Sequence, residues 1–262
     1  MKFRIITIAV MIALLSVVVS ACGERAVSYK PVAFDHRQYY LMQDLAGDYT
    51  GYAIRWQAET NYENTPAIQT NFISLNTTDQ LFYHEERLVK KDGTLVRYRS
   101  DLTRLDTMDH SSTRVDAEKE GNKYDFILVL TGRGIPESVR TKEVNDSDYD
   151  YFSFDQKPYD ETPLNQTRTY RVFHPAGLYF EERKITNVGA AKLNVHGVEM
   201  ECEQYVTEET EPAGGWTNVA WFREGTDILV KSISENADKS DKSMMNLTTR
   251  DNIERIFGEI RY

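Results

Sequence analysis

The chain has 262 residues, of which 41 are acidic and 31 are basic, giving a formal net charge of −10. Hydrophobic residues make up 40% and charged residues 27%, a composition typical of a folded globular protein and not of a disordered one. The acidity argues against a nucleic-acid partner, because neutralising phosphates requires clustered lysine and arginine. Sixteen tyrosines and eleven phenylalanines favour β-strands.

Residues 1–21 have the three-part pattern of a secretory signal peptide. Lys2 and Arg4 form a positive region, residues 5–19 are almost all apolar, and small residues follow. A helix that stays in a membrane needs about 20 apolar residues, so this run is too short for a permanent span. We therefore expect the segment to direct export and then to be removed.

The residues at the predicted cleavage site, Val19-Ser20-Ala21-Cys22, resemble the lipobox of bacterial lipoproteins, with valine in place of the usual leucine. In that family the cysteine receives diacylglycerol, the peptide is cut before it, and the new amino group is acylated, commonly with palmitate. The resemblance implies that Cys22 is the lipidated residue and that lipid on Cys22 attaches the protein to the membrane of the cell envelope. Gly23 stands where an aspartate would retain such a protein at the inner membrane, which implies the outer membrane.

The rest of the chain is predicted to contain Cys22 with a tether over 22–34 and a single β-rich domain over 35–262. If Cys22 carries lipid, Cys202 has no partner for an intramolecular disulfide, and stability must come from a hydrophobic core. Cys202 lies where apolar and acidic residues alternate, which predicts a buried thiol on a strand. The neighbouring glutamates argue against a catalytic thiol.

The first predicted element is a helix. Asp35 is its predicted cap, and Tyr39, Met42 and Leu45 recur at helical spacing before Gly47 ends the pattern.

After this helix the hydrophobic pattern changes to period two, which is typical of half-buried strands. Compact turn signals separate the strands, and long amphipathic helices are missing between them. We therefore predict a mainly β, antiparallel, twisted sheet that forms an open half-barrel or a sandwich. The predicted strands are 49–58, 69–76, 80–89, 94–99, 112–117, 123–131, 168–174, 178–185, 190–195, 197–207, 217–223 and 226–234.

Residues 136–167 are acidic, rich in tyrosine and without clear periodicity, so we predict a long connection between two halves of the sheet. The segment Leu81-Phe82-Tyr83-His84-Glu85-Glu86-Arg87 in the first half echoes Leu178-Tyr179-Phe180-Glu181-Glu182-Arg183 in the second. A duplicated β-unit would produce this echo, and so would chance.

A second helix is predicted at the C-terminus, where Thr248 and Asp251 form a pair similar to a capping box. A final strand is the alternative. The apolar residues that fit one face of this helix are Ile253, Ile256, Phe257 and Ile260.

The sequence carries no local catalytic or metal-binding motif, so we predict no catalytic residue, no metal site and no cofactor. Adjacent glutamates in strands point to opposite faces and cannot share one reacting bond. The acidic run 146–150 matches the start of a calcium loop, but Tyr151 and Lys157 stand where glycine and glutamate are required. The histidines lack ligand spacing: His36, His84, His110, His174 and His196.

Three functions remain open. The first is a non-enzymatic binding or carrier protein for an apolar ligand, because the predicted architecture resembles the half-barrel lipid carriers of the bacterial envelope. The alternatives are a structural or partner-binding subunit of an envelope complex and a secreted hydrolase on a β scaffold. A carrier needs an unfilled apolar concave face, and the residues predicted to line it are Phe126, Leu128, Leu130, Val219, Trp221, Ile228 and Val230.

Overall fold

The computed structural model describes residues 37–105, 111–132, 135–210, 215–238 and 242–260. Within these ranges the chain forms fifteen strands and two short helices, α1 (Lys157–Asp160) and α2 (Arg250–Phe257). The strands are β1 (Gln38–Gln43), β2 (Tyr49–Tyr62), β3 (Thr65–Asn76), β4 (Leu81–Lys90), β5 (Leu95–Arg104), β6 (Ser112–Glu120), β7 (Lys123–Gly132), β8 (Ile135–Asn145), β9 (Tyr151–Phe152), β10 (Thr167–His174), β11 (Tyr179–Val195), β12 (Val198–Thr210), β13 (Trp216–Arg223), β14 (Leu229–Asn236) and β15 (Lys242–Thr248).

All fifteen strands belong to one sheet, in the order β8-β7-β6-β5-β4-β3-β2-β1-β15-β14-β13-β12-β11-β10-β9. Neighbouring strands are antiparallel, except that β9 and β10 are parallel. The pair β1–β15 joins a first wing, β1–β8, to a second wing, β9–β15. The end strands β8 and β9 do not pair with each other, so the sheet is not closed into a barrel. The predicted mainly β, antiparallel class is confirmed.

The sheet rolls up so strongly that the end of β10 is buried on both faces, whereas residues 167–169 are exposed. Phe173 belongs to an aromatic cluster with Phe126 of the first wing, and Val172 to a second cluster within the second wing. The rings of Phe126 and Phe173 are 4.9 Å apart. At the same seam Lys142 of β8 donates a hydrogen bond to the carbonyl of Leu178. Side-chain packing, and not a strand ladder, therefore closes the interior.

Helix α2 covers the outer face of the sheet where the wings meet. Ile253 is fully buried against Leu41, Ile54 and Ile73, and Ile256 and Phe257 pack against the same cluster. The predicted apolar helical face is confirmed for these three residues, whereas Ile260 joins the cluster from beyond the end of the helix. The cap is Thr249, whose hydroxyl accepts a bond from the Asn252 amide, and not Thr248 as predicted. No described helix is long and apolar enough to cross a membrane.

The prediction of a helix over 35–45 was wrong for the part that the structure describes, because residues 38–43 form β1. Asp35 lies outside the described residues. Tyr40 and Leu41 are both buried, on opposite faces of a central strand. Such a strand has no polar face, so its sequence lacks period two and the spacing of Tyr39 and Met42 imitates a helix.

The prediction of a long connection over 136–167 was wrong for its first third, because residues 136–145 belong to strand β8. From Pro136 to Thr141 the side chains of β8 are exposed on both faces, so this edge strand has no apolar alternation to detect. The remainder, with β9 and α1, does link the two wings. Strand β15 was also not predicted.

Candidate functional site

The two echoing segments meet inside the rolled sheet around the link between β9 and α1. The guanidinium of Arg87, on β4, donates to the carbonyl of Phe154 at 3.2 Å. The guanidinium of Arg183, on β11, donates to the preceding carbonyl, that of Ser153, at 3.0 Å. Each wing thus supplies one arginine to consecutive backbone carbonyls of the chain that connects the wings.

Each arginine is also paired with the glutamate two residues before it, on the same strand face. In the first wing Glu85 lies 2.9 Å from Arg87 and accepts the hydroxyl of Tyr83 at 2.7 Å. In the second wing Glu181 lies 2.9 Å from Arg183 and 2.7 Å from His174 Nε2. The pattern Tyr-x-Glu-Glu-Arg therefore builds the same buried ion pair twice.

The charges of the second pair are mutually stabilised. Burial alone would raise the pKa of Glu181, but the hydrogen bond and charge of His174 and the charge of Arg183 outweigh it and lower that pKa. Burial opposes the charge of Arg183 as well, yet Glu209 and Glu181 hold its pKa above the ordinary value. In the first wing, burial and the carboxylate of Glu85 raise the pKa of Tyr83, so that its hydroxyl stays neutral.

This polar interior supports the fold. The Glu181 side chain has no exposed surface and bonds to His174, whose side chain keeps 20% exposure, and to Arg183. Among the described residues, no group of three or more histidine, cysteine, aspartate and glutamate side chains could hold a metal ion. His36 and His110 lie outside the described residues.

The predicted apolar ligand face inside the sheet was wrong. Phe126 and Leu128 are buried, but the aromatic side chains of Phe152 and Phe173 fill the space in front of them. On β13 the buried residues are Ala220 and Phe222. Val219 and Trp221 alternate with these buried residues and therefore lie on the other face.

The acidic run 146–150 is used by the fold itself. Asp146 pairs with Lys119 at 2.8 Å, Asp148 accepts a hydrogen bond from the backbone amide of Asn145, and Asp150 accepts one from the backbone amide of Arg171.

Cys202 is buried, with 2% of its surface exposed, and burial raises the pKa of its thiol. Cys22 lies outside the described residues, so its lipidation stays a prediction.

A groove of about 290 Å³ lies on the outer face, between α2 and the tip of the β11–β12 hairpin. The hairpin is long, and its register shifts at Gly189, whose φ of +108° is a backbone conformation that glycine tolerates best. Its two-residue turn, His196-Gly197, has positive φ at both positions, as in a type I′ turn. The groove was not predicted from the sequence. The predicted strands 178–185 and 190–195 are one strand, β11, in the structure, so the long hairpin that forms one side of the groove was missed.

Hydrogen bonds fix one end of the groove. His196 Nε2 lies 2.9 Å from the hydroxyl of Thr248, and that hydroxyl accepts the side-chain amide of Asn252 at 2.8 Å. The hairpin tip is thereby tied to the start of α2. Of the thirteen lining residues, six are apolar: Leu41, Tyr49, Leu193, Val195, Val230 and Leu247. The others are Gln43, Asn194, His196, Lys231, Asn246, Thr248 and Asn252.

No protein-family model and no curated protein matches the sequence. The fold is similar to that of a β-barrel-like protein of the domain of unknown function DUF1849 from Brucella abortus, with a TM-score of 0.50 and 11% identity over 82% of this chain and 95% of that one. A lipoprotein candidate from Parabacteroides distasonis gives a TM-score of 0.37 at 7% identity, over 86% and 98% of the two chains. The hypothetical lipoprotein YmcC from Escherichia coli gives 0.30 at 10%, over 88% and 96%. The similarity to the Brucella abortus protein concerns the fold alone, which is β-barrel-like in that protein.

Proposed function

We propose that the protein is a lipid-anchored lipoprotein of the bacterial cell envelope that binds an apolar chain without chemical turnover, and that the outer groove is its binding site. The observation that carries the proposal is the groove itself. Leu193 and Val195 on the hairpin form an apolar wall, and the buried Leu41 and Val230 lie at the sheet side. The hydrogen bond between His196 and Thr248 ties the hairpin tip to the sheet. A volume of about 290 Å³ is near the lower end of the range for small-molecule sites.

The proposed anchor is Cys22, and Gly23 favours the outer membrane. An acidic chain is repelled by an anionic membrane surface, so attachment depends on lipid. Labelling cells with a radioactive fatty acid tests this part: the natural chain should be labelled and Cys22→Ala should not. Equal labelling of both would remove the lipoprotein part of the proposal and leave the groove untouched.

Ligand binding is tested on the processed chain, residues 22–262, carrying Cys22→Ser. A fluorescent fatty acid should bind saturably, and an unlabelled one should displace it. Val195→Trp should fill the groove and weaken binding at least tenfold. The matched control is Val198→Trp, because Val198 pairs with Val195 across the hairpin but is 58% exposed and outside the groove. Binding that is insensitive to Val195→Trp would place the ligand elsewhere and defeat the proposal.

A partner-binding role is the second candidate, and the edge strand β8 favours it. Val139 on β8 is 55% exposed, and Ile127 on the neighbouring strand is 44% exposed. An exposed edge strand with apolar residues beside it can accept a strand from another protein. Val139→Lys should abolish capture of such a partner from envelope extracts while leaving fatty-acid binding unchanged. If capture is the same with and without Val139→Lys, this candidate is wrong.

A further inference from the structure

The groove differs in charge from the rest of the protein. The chain carries 41 acidic residues, about one in six, yet none of the thirteen residues that line the groove is acidic. A basic residue, Lys231, is present, together with His196. The groove lining thus has no acidic residue although the chain is acidic overall, and such a lining complements a negatively charged ligand.

Lys231 is placed in the groove by an irregularity of the sheet. Along β13 and β14 the register shifts, because Trp221 pairs with Lys231 while Phe222 pairs with Leu229. Val230 is therefore the extra residue of a β-bulge, and both Val230 and Lys231 line the groove. Bulges commonly re-aim a side chain in this way. Val230 is buried, with 1% of its surface exposed, whereas Lys231 is partly exposed.

The ammonium group of Lys231 is available to a ligand. Its Nζ lies 5.7 Å from the centre of the Trp221 ring, and no carboxylate of the described residues lies within ion-pair distance of it. Across the strands Lys231 is opposite Asn246, which is in turn opposite Leu41. A cation, an amide and an apolar side chain thus follow one another along one row of the groove floor.

From this arrangement we infer that the ligand is a single-chain amphiphile with an anionic head group, a carboxylate or a phosphate, which Lys231 binds while the apolar walls hold the chain. The inference rests on the proposed function, because it names the chemical class of the ligand in the same groove. His196 and the side-chain amide of Asn252 stand at the tied end of the groove, where their hydrogen bonds to Thr248 fix its shape.

The test compares three ligands with the same chain and different head groups: decanoate, decyl phosphate and 1-decanol. Each displaces a fluorescent fatty acid from the processed chain, and acetate and inorganic phosphate serve as head groups without a chain. Decanoate and decyl phosphate should bind at least tenfold more tightly than 1-decanol, since a hydrogen bond to a charged group contributes more than a neutral one. Acetate and inorganic phosphate should not displace the probe.

Lys231→Ala should weaken binding of both anionic ligands about tenfold and leave 1-decanol unchanged. The control is Lys242→Ala, because Lys242 lies on the same face of β15 as Asn246 but outside the groove. Added salt should weaken anion binding by the natural chain and have no such effect on 1-decanol, which tests the inference even if Lys231→Ala does not fold.

The outcomes separate the two proposals. Equal affinity for decanoate and 1-decanol, or an anion preference that survives Lys231→Ala, would overturn the head-group inference and leave the groove as the binding site. Binding that Val195→Trp does not weaken, or no binding of any chain, would overturn the proposed function itself. Displacement by inorganic phosphate alone would show an anion site with no role for the chain, which also contradicts the inference.

Discussion

Replacing Glu181 by glutamine should destabilise the protein by about 3 kcal/mol at neutral pH. The Glu181 side chain has no exposed surface and bonds to both His174 and Arg183. Removing one partner of a buried ion pair costs about 3–5 kcal/mol, because the other charge is left uncompensated. Arg183 keeps Glu209 at 2.9 Å, so the loss should fall at the lower end of that range. Urea unfolding of the processed chain measures it.

The neighbouring residue supplies a matched control. Glu182 has the same chemistry but points to the opposite face of β11 and is exposed. Glu182→Gln should therefore change the free energy of unfolding by less than about 0.5 kcal/mol. Equal destabilisation by the two substitutions would refute the role given to the buried pair.

The pH dependence provides a second, independent signature. The pKa of Glu181 in the folded chain is below its ordinary value of 4.5. Its contribution to stability is therefore fully present above the unfolded pKa and is lost as the pH falls through the folded pKa. The difference in stability between the natural chain and Glu181→Gln should shrink as the pH falls below about 5.5. A difference that grows over this acid range would contradict the sign of the shift.

Three further predictions concern stability and packing. Cys202 should react slowly with a maleimide in the native protein and quickly in urea, because it is buried; fast native labelling would contradict its placement. Gly189→Ala should destabilise the chain more than Gly197→Ala in thermal unfolding. Both glycines have positive φ, so both substitutions strain the backbone. A Cβ at Gly189 would also lie 2.7 Å from the Leu164 side chain, whereas a Cβ at Gly197 would meet nothing within 4 Å. Ile253→Ala should cost about 3 kcal/mol in urea unfolding, since Ile253 is fully buried between α2 and the sheet. A loss below about 1 kcal/mol would show that α2 is loosely packed.

The sequence predicts those elements whose burial is one-sided. In β7, Tyr124, Phe126 and Leu128 are buried, and the residues between them are at least partly exposed, so period two is visible and the strand is identified. The prediction fails where burial is two-sided, as in β1, or absent, as in the outer part of β8. In both cases the alternation that marks a strand is lost, for opposite reasons.

The candidate site could not be predicted because it depends on contacts between distant residues. Its walls come from residues near positions 41, 195, 230 and 248, which only the order of strands brings together. A partial signal was present in the sequence: His196-Gly197 fits a type I′ turn, and joining the two predicted strands before it would have revealed a long hairpin. The charge pattern of the groove is visible only after the lining residues are known.

The echo between the two Glu-Glu-Arg segments, which chance alone would also explain, has a common physical meaning in the structure. In each copy the first glutamate and the arginine face the interior and form an ion pair, and the second glutamate faces outward. Because the arginines bind consecutive carbonyls at Ser153 and Phe154, the two copies together fasten the link between the wings. A buried ion pair adds little net stability when compared with apolar packing, but it tolerates few alternative arrangements. The paired motifs therefore explain how an open sheet keeps one rolled form with a filled interior.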